Sequence, residues 1–152
     1  MFTFEQVVEE NLYIVREMIR SNTSYYEAKY GEAPKKENEL EFLASNKRSF
    51  LIKVEDSYIG LTSYTEHPTE KCVSIALLLI HADYQGFGYG SSAYYELEDR
   101  FIKQGYKKST LEVSSENNRA KQFWERNGYI AFDKRKSEGI EMTCYHKQLS
   151  QI

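Results

Sequence analysis

Apolar residues recur along the chain with two different spacings, and these predict a series of strands and helices. Alternating or continuous short apolar runs are typical of strands, whereas apolar residues three and four positions apart are typical of helices. In chain order the predicted elements are a strand at Met1–Val7, a helix at Glu9–Ile19, a helix at Glu37–Ser45, a hairpin of Ser49–Val54 and Tyr58–Tyr64, a buried strand at Val73–Ile80, a helix after Gly90, a strand at Thr110–Ser114, a short helix with its exit at Ser115–Tyr129, and a closing hairpin of Tyr129–Arg135 and Ile140–Lys147.

Two of the predicted helices carry a clear apolar stripe that would face a core. The stripes consist of Leu12, Val15, Met18 and Ile19 in the first helix, and of Tyr94, Leu97, Phe101 and Ile102 in the helix after Gly90. No internal repeat, low-complexity tract or linker interrupts the 152 residues. We therefore expect a single domain spanning residues 1–152.

The junction between the buried strand and the helix that follows it is rich in glycine. The apolar run that ends at Ile80 leads into a turn with glycine at positions 86, 88 and 90. Glycines at such a junction let successive backbone N–H groups converge in front of a helix N-terminus, a geometry that binds phosphate or pyrophosphate. The spacing alone also fits a plain turn. It fits neither the dinucleotide-binding fingerprint nor the P-loop.

A second motif lies downstream and makes the first one specific. The turn reads Gln85-x-x-Gly88-x-Gly90, and it is followed by Asn117-x-x-Ala120-x-x-x-Trp124 and then Gly128-Tyr129. From about Ile75 to Phe132 the chain closely resembles the GNAT superfamily of acyl-CoA N-acyltransferases. The resemblance implies an α/β (α+β) fold with one GNAT-like domain. Its central sheet would be mixed and mostly antiparallel, with about seven strands, about four helices and splayed fourth and fifth strands.

The resemblance also implies an activity and a donor site. We expect an acetyl-CoA-dependent N-acetyltransferase that transfers acetyl to a primary amine of a small molecule, directly and within a ternary complex. The backbone near Leu79 would face the thioester oxygen. The residues expected to contact the coenzyme are Leu78, Ile80, Gln85, Gly86, Phe87, Gly88, Tyr89, Gly90, Ser91, Asn117 and Phe123, with the Ser92 hydroxyl beside the pyrophosphate. Gln85 alone also fits a purely structural role at the start of the helix.

Trp124 departs from the family pattern. Many members of the superfamily have a tyrosine here, whose hydroxyl can protonate the leaving thiolate. An indole N–H is only a hydrogen-bond donor and is no proton acid near neutral pH. The thiolate would then leave unassisted, or with a hydrogen bond from Trp124 or another donor, or with help from a tyrosine elsewhere. A side chain that simply packs in the core is the other interpretation.

No general base stands out in the sequence. Glu112 alternates with Leu111 and Val113 on the predicted fifth strand, so it is a candidate to face the acceptor cleft and take the proton of the amine. A solvated strand residue is the alternative. His81 is a second candidate, as a proton relay or simply as a residue that caps the turn, and a chain of water molecules is a third route.

The acceptor pocket is expected between the first two helices and at the last hairpin, which flank the cleft in this family. Tyr25, Tyr26 and Tyr30, with Glu27 and Glu32, are candidates to form an aromatic, acidic pocket for a cationic amine. A tyrosine-rich packing layer with solvated charges is the alternative.

Composition limits the remaining possibilities. The net charge of −3 and the lack of a basic stripe argue against nucleic acid or an anionic membrane as a partner. Cys72 and Cys144 have no metal-ligand spacing, so we expect buried thiols, no metal and no acyl-cysteine intermediate. The sequence contains no signal peptide or membrane-spanning run, which indicates a cytoplasmic protein.

Three further questions stay open at this stage. A homodimer is possible, because the edge hairpins of this fold often pair. An acyl-CoA-binding sensor or scaffold with little transfer, and a protein or peptide N-acetyltransferase, are the alternative functions.

Overall fold

The computed structural model describes residues 2–22, 42–44 and 47–149. Within these residues the chain forms seven strands and three α-helices, which we number in chain order. They are β1 (Phe2–Gln6), α1 (Leu12–Ser21), β2 (Arg48–Val54), β3 (Ser57–His67), β4 (Cys72–Ile80), α2 (Tyr89–Lys103), β5 (Lys108–Ser114), α3 (Asn118–Arg126), β6 (Ile130–Ser137) and β7 (Ile140–Gln148).

All seven strands belong to one sheet, in the order β1-β2-β3-β4-β5-β7-β6. Only β4 and β5 run parallel, and every other pair is antiparallel. This arrangement confirms the predicted fold class. The expected helix count was about four, and the helix predicted at Glu37–Ser45 lies almost wholly outside the described residues, which include only 42–44 of it.

The helices cover opposite faces of the sheet. The stripes of α2 and α3 bury Tyr94, Leu97, Phe101 and Trp124 in one apolar cluster, together with Val73 and Ile75 of β4. The stripe of α1 buries Val15, Met18 and Ile19 in a second cluster, together with Leu77 and Leu79 of β4. Both predicted helical stripes are therefore confirmed as core-facing surfaces. Of the helices in the described ranges, none is both long and apolar enough to cross a bilayer.

The two clusters reveal a change of face within β4. Residues 73, 75, 77 and 79 would all point the same way in a regular strand, because side chains alternate with a period of two. Between Ile75 and Leu77 the register skips one residue, since Tyr64 lies opposite Ile75 whereas Ser63 lies opposite Leu77. This β-bulge turns the last part of β4 over and bends the strand. It divides β4 between the two cores.

Several predicted boundaries were wrong by a few residues. The first helix was predicted from Glu9, but Glu9–Asn11 forms a 3-10 turn and α1 begins at Leu12. The predicted hairpin without a glycine has Glu55 at φ 54°, a left-handed conformation that glutamate adopts here without help from glycine. At the closing hairpin β6 extends to Ser137, and the turn consists of Glu138 and Gly139, both with positive φ.

Candidate active site

A large cleft opens where β4 and β5 separate. The two strands are paired only from Cys72 opposite Lys108 to Ile75 opposite Leu111, and beyond the bulge they diverge. The cleft has a volume of about 1110 Å³ and is lined by the second half of β4, the glycine turn, the end of β5 and the first turns of α3. The expected splay of the fourth and fifth strands is thus present.

The glycine turn forms one wall of this cleft. Gly86 has φ 87° and Gly88 has φ 83°, and Gly88 is the N-cap of the fifteen-residue helix α2. A Cβ built on either glycine would meet no atom within 4 Å, so the space in front of their backbone is open. Gly90 is different, because its Cβ would lie 3.1 Å from the Phe123 ring. Open backbone N–H groups at a helix N-terminus fit a pyrophosphate.

The backbone of β4 shows which of its groups face the cleft. The carbonyl oxygen of Leu79 lies 2.5 Å from the position of a Cβ on Gly60, so it points towards β3. In a strand the N–H and C=O of one residue point to the same side, and the next residue points to the other. The N–H of Leu79 therefore points to β3 as well. The backbone groups of Leu78 and Ile80 point into the cleft, which corrects the expectation that Leu79 supplies the oxyanion contact.

The side chain of Gln85 is engaged inside the protein. Its Nε2 donates to the carbonyl oxygen of Ile80 at 2.9 Å and to Oδ1 of Asn22 at 2.6 Å. Both amide hydrogens are then in use. Its Oε1 accepts from Arg119 at 3.5 Å. Gln85 lines the cleft, but its amide binds neighbouring elements instead of pointing at the expected pyrophosphate site.

The first turn of α3 closes the opposite wall. Asn117 is the N-cap of α3, and its side-chain oxygen accepts from the backbone N–H of Ala120 at 3.1 Å. Asn117, Arg119 and Phe123 all line the cleft. The amide group of Asn117 still presents its Nδ2 as a donor, so the expected contact with pantetheine stays compatible with capping.

Aromatic rings surround the outer end of the glycine turn. Phe87 is 73% exposed, and its ring lies 6.4 Å from the ring of Tyr89. Tyr89 also makes edge contacts with Tyr84 and Phe2. Ser91 lines the cleft and its hydroxyl accepts from Asn127 at 3.4 Å. These residues hold the turn against the sheet and leave the Phe87 ring in solvent.

Trp124 is both a core residue and a wall of the cleft. Its side chain is 8% exposed, and its ring makes edge contacts with Tyr94, Phe123 and Tyr129. The hydroxyls of these two tyrosines are tied to each other and to Ser109, since Tyr94 donates to Tyr129 at 2.9 Å and Tyr129 donates to Ser109 at 2.7 Å. Burial raises the pKa of Tyr94 and raises the pKa of Tyr129 to about 12. Neither buried hydroxyl is a ready proton donor for the cleft.

Glu112 lies on β5 at the first position beyond the paired segment, and it lines the cleft as expected. Both of its carboxylate oxygens accept from Arg135 on β6, at 2.5 and 3.0 Å. The side chain of Glu112 is 33% exposed. The position of Glu112 suits a carboxylate that contacts an acceptor amine. The sequence pattern did not indicate the pairing with Arg135, because β6 lies two strands away from β5 in the sheet.

His81 caps the turn after β4. Its Nδ1 accepts from the backbone N–H of Asp83 at 3.0 Å, so Nε2 carries the ring hydrogen and faces Glu17 at 3.1 Å. This is the structural alternative that the sequence left open for His81. The three candidate acceptor residues, Tyr25, Tyr26 and Tyr30, lie outside the described residues.

Sequence reasoning missed several residues of the cleft. Arg119 follows the Asn117 motif by two positions, and its place in the first turn of α3 was a signal that could have been used. Asn22 and Arg20 also line the cleft from the end of α1. For Asn22 the sequence offers no signal, since it meets Gln85 only through the packing of α1 against the end of β4.

A family model matches most of the chain, and solved structures share its fold. Residues 15–129 match the model of the Acetyltransferase (GNAT) family. An acetyltransferase from Thermus thermophilus superimposes with a TM-score of 0.78 and 23% identity, covering 98% of this chain and 97% of that one. Spermidine N-acetyltransferase from Vibrio cholerae, in complex with CoA and spermine, gives a TM-score of 0.78 and 17% identity over 97% of this chain and 95% of that one.

A third structure is a Salmonella typhimurium acetyltransferase that modifies the N-terminal serine of ribosomal protein L7/L12. It superimposes with a TM-score of 0.84 and 13% identity, covering 98% of this chain and 95% of that one. No curated protein sequence matches the chain closely enough to count as a relative.

The fold and the family match together define the class of protein. The chain belongs to the Acetyltransferase (GNAT) family, whose model matches most of its length. It is an N-acetyltransferase, and its acetyl donor is acetyl-CoA, as the sequence motifs predicted.

Proposed function

We propose that the protein transfers acetyl from acetyl-CoA to a primary amine of a small molecule, in a single step within a ternary complex. The observation that carries this proposal is the cleft between β4 and β5, which brings the open glycine turn and the Glu112 carboxylate into one cavity. One end of that cavity suits a pyrophosphate, and the other suits an amine. Acetyl-CoA supplies the acetyl group as a thioester.

The donor lies along β4 in this proposal. The backbone of Leu78 and Ile80 faces the cleft, where it is free of pairing with β5. An extended pantetheine arm can add to this strand as a further strand would. The carbonyl of Ile80 already accepts two hydrogen bonds from Asn22 and Gln85. Strand-like pairing of pantetheine therefore uses the Ile80 N–H and the Leu78 groups.

The Leu78 N–H is our candidate to stabilise negative charge on the thioester oxygen. Among the groups that face the cleft after the bulge, those of Leu78 are closer to the point where β4 and β5 separate than those of Ile80. Fixed backbone donors that meet developing charge contribute without reorganising during the reaction. Positioning of the two reactants supplies further catalysis, on the order of 7–11 kcal/mol at best.

Glu112 is our candidate to receive the proton of the amine, directly or through a water molecule. Arg135 donates hydrogen bonds to both carboxylate oxygens of Glu112 and so fixes the orientation of the carboxylate. Trp124 supplies an apolar wall in the position that tyrosine occupies in many relatives. In this proposal the thiolate leaves without a side-chain acid.

Direct transfer is supported by the positions of the cysteines. None of the described residues that line the cleft is a cysteine. Cys144 is buried, and burial together with the neighbouring Glu112 carboxylate raises the pKa of its thiol. Cys72 is the first residue of β4, at the far end of the strand from the glycine turn. Neither thiol is a suitable carrier of an acetyl group.

The acceptor class can be tested with two panels of amines assayed in parallel. One panel contains a linear polyamine, an amino sugar, an amino acid and an aromatic monoamine, and the other contains peptides with free N-termini and lysines. Release of the CoA thiol is followed in both. We expect turnover with a member of the first panel. Turnover restricted to the peptides would replace the proposed acceptor with a protein, and binding of CoA without turnover in either panel would favour a sensor.

We also propose that two copies of the chain pair through β6. This strand ends the sheet in the part of the chain that is described, and its Ile130 and Phe132 are 65% and 56% exposed. Light scattering of the intact protein tests this, and a monomer at all concentrations would exclude it.

A further inference from the structure

Gln85, Asn22 and the Ile80 carbonyl form a closed hydrogen-bonded triangle. Gln85 Nε2 donates to both partners, and Asn22 Nδ2 donates to the Ile80 oxygen at 2.9 Å. Asn22 also donates to Ser21 Oγ at 3.0 Å. A carbonyl oxygen has two lone pairs, and both are used here. The amide hydrogens of Gln85 and the lone pairs of the Ile80 oxygen are therefore all used within the triangle.

The triangle joins three elements that form different parts of the cleft. Asn22 follows the last residue of α1, Ile80 is the last residue of β4, and Gln85 begins the glycine turn. Ser21 adds a second link between α1 and the turn, because its hydroxyl accepts from the backbone N–H of Ala82 at 3.2 Å. Gln85 also contacts α3, because Arg119 donates to its Oε1 at 3.5 Å.

We propose that Gln85 is a positioning residue that holds the glycine turn in its donor-binding form by locking it to Asn22 and to the end of β4. The inference rests on the proposed function, in which the turn receives the pyrophosphate of CoA. Gln85 acts through Asn22 and Ile80 and makes no bond to the coenzyme with its amide hydrogens. Asn22 then controls donor affinity from α1, although it is no part of either sequence motif.

The chemistry of the lock requires two hydrogen-bond donors at position 85. An arginine has several N–H donors and can reach the same two oxygens, whereas a glutamate of the same size as glutamine presents only acceptors at neutral pH. The substitution Gln85→Glu would place a carboxylate against the Ile80 carbonyl and Asn22 Oδ1. It should open the triangle, whereas Gln85→Arg should keep it closed.

The test measures the dissociation constant of CoA by calorimetry and the KM of acetyl-CoA with the best small amine. The variants are Gln85→Glu, Gln85→Arg, Asn22→Ala and the double variant Asn22→Ala/Gln85→Glu. Glu17→Gln is the matched control, because Glu17 also links α1 to the end of β4, through His81, but does not touch Gln85. Gly88→Ala reports separately on whether CoA uses the glycine turn.

We expect Asn22→Ala and Gln85→Glu each to weaken CoA binding about tenfold, or ~1.4 kcal/mol. The double variant should be no weaker than the worse single one, because both break the same triangle. The KM of acetyl-CoA should rise while kcat changes less than the KM does. Gln85→Arg should bind CoA more tightly than Gln85→Glu does, because it keeps N–H donors at position 85. Glu17→Gln should bind CoA as the unchanged protein does.

Two results would overturn the lock. One is that Asn22→Ala keeps its affinity for CoA while Gln85→Glu loses affinity. This result would mean that Gln85 acts on the coenzyme directly. The other is a Gln85→Arg variant that binds CoA as weakly as Gln85→Glu does. This second result does not depend on any substitution in or beside α1. If instead Gly88→Ala binds CoA normally, the proposed donor site itself is wrong, and that outcome is distinct from a failure of the lock.

Discussion

The carboxylate of Glu112 on β5 is held through both oxygens by the guanidinium of Arg135 on β6. The pair lies at the position where β5 leaves β4, and Glu112 faces the cleft. The arginine fixes the direction of the carboxylate in a part of the site where a candidate acceptor would lie. A substitution at Glu112 therefore changes both a candidate proton acceptor and the partner of Arg135.

Replacing the carboxylate with an amide should slow transfer. We expect Glu112→Gln to lower kcat about 10²-fold, because a group that accepts a proton in the reaction typically contributes 10²–10⁴-fold. The KM of acetyl-CoA should be unchanged, since Glu112 is distant from the glycine turn along the cleft. Initial rates of CoA thiol release with the best small amine measure this. Glu116→Gln, which removes another carboxylate of the cleft lining, is the control, and a Glu112→Gln enzyme with unchanged kcat would remove Glu112 from the mechanism.

The glycine turn can be probed with a matched pair of alanine substitutions. Gly88 and Gly139 both have φ 83°, and a Cβ on either would meet nothing within 4 Å. A left-handed conformation costs an alanine roughly 1–2 kcal/mol at both positions. Only Gly88→Ala disturbs the N-cap of α2, so we expect it to weaken CoA binding about tenfold, or ~1.4 kcal/mol.

The change in Trp124 fluorescence on titration with CoA reports the affinity of both glycine variants. Gly139→Ala should be less stable, with an unchanged dissociation constant. Equal loss of affinity in the two variants would contradict a donor site at the turn.

Trp124 should tolerate replacement by another aromatic residue. Its ring packs against Tyr94, Phe123 and Tyr129, so Trp124→Phe should lose about 1–3 kcal/mol of stability and keep kcat within a few-fold. Trp124→Tyr should raise kcat, because a phenol hydroxyl can protonate the thiolate. Thermal unfolding and thiol-release rates measure the two effects. Loss of transfer in Trp124→Phe at unchanged CoA affinity by calorimetry would show that the indole N–H is needed.

The hydroxyl of Tyr129 should matter for stability and not for catalysis. Tyr129→Phe leaves the buried hydroxyls of Tyr94 and Ser109 without their partner, which costs about 1–3 kcal/mol. Urea unfolding at neutral pH measures the loss. Tyr95→Phe on α2 is the control, because Tyr95 is 73% exposed. Equal stability of the two variants would contradict the importance of the network.

The raised pKa of Tyr129 makes the stability of the folded protein depend on pH in the alkaline range. Burial raises the pKa of Tyr129 from 10.0 in the unfolded chain to about 12. Between these values the unfolded state has lost the proton and the folded state keeps it, so stability is complete below pH 10 and falls as the pH rises towards 12. Tyr145 has a raised pKa as well, about 12. The Tyr129→Phe variant should therefore show a shallower fall, and a fall as steep as that of the unchanged protein would contradict the assignment.

Local patterns in the sequence predicted most of the fold. The stripes of α1 and α2 and the glycine turn before α2 depend on contacts within a few residues, and each was found as expected. The change of face within β4 was not predictable, because a continuous apolar run looks the same with and without a bulge. The direction of the Leu79 backbone groups, which point to β3, was not predictable either, because it depends on how β3 and β4 pair.

Long-range pairs set the limit for the site. The lock at Gln85 and the ion pair at Glu112 join residues 63 and 23 positions apart. Nothing in the local sequence reports such a partner. The type of residue at positions 85 and 112 was informative about the chemistry, whereas the direction of each side chain depended on how distant elements pack.

Direct transfer to a small amine is tested by a two-substrate initial-rate study of CoA thiol release, with acetyl-CoA and both the small-amine panel and the peptide panel. We expect turnover with a small primary amine, double-reciprocal plots that intersect, and no acetylated protein after incubation with acetyl-CoA alone. Parallel plots together with an acetylated protein would contradict direct transfer. No release with any small amine, beside turnover of the peptides, would contradict the proposed acceptor.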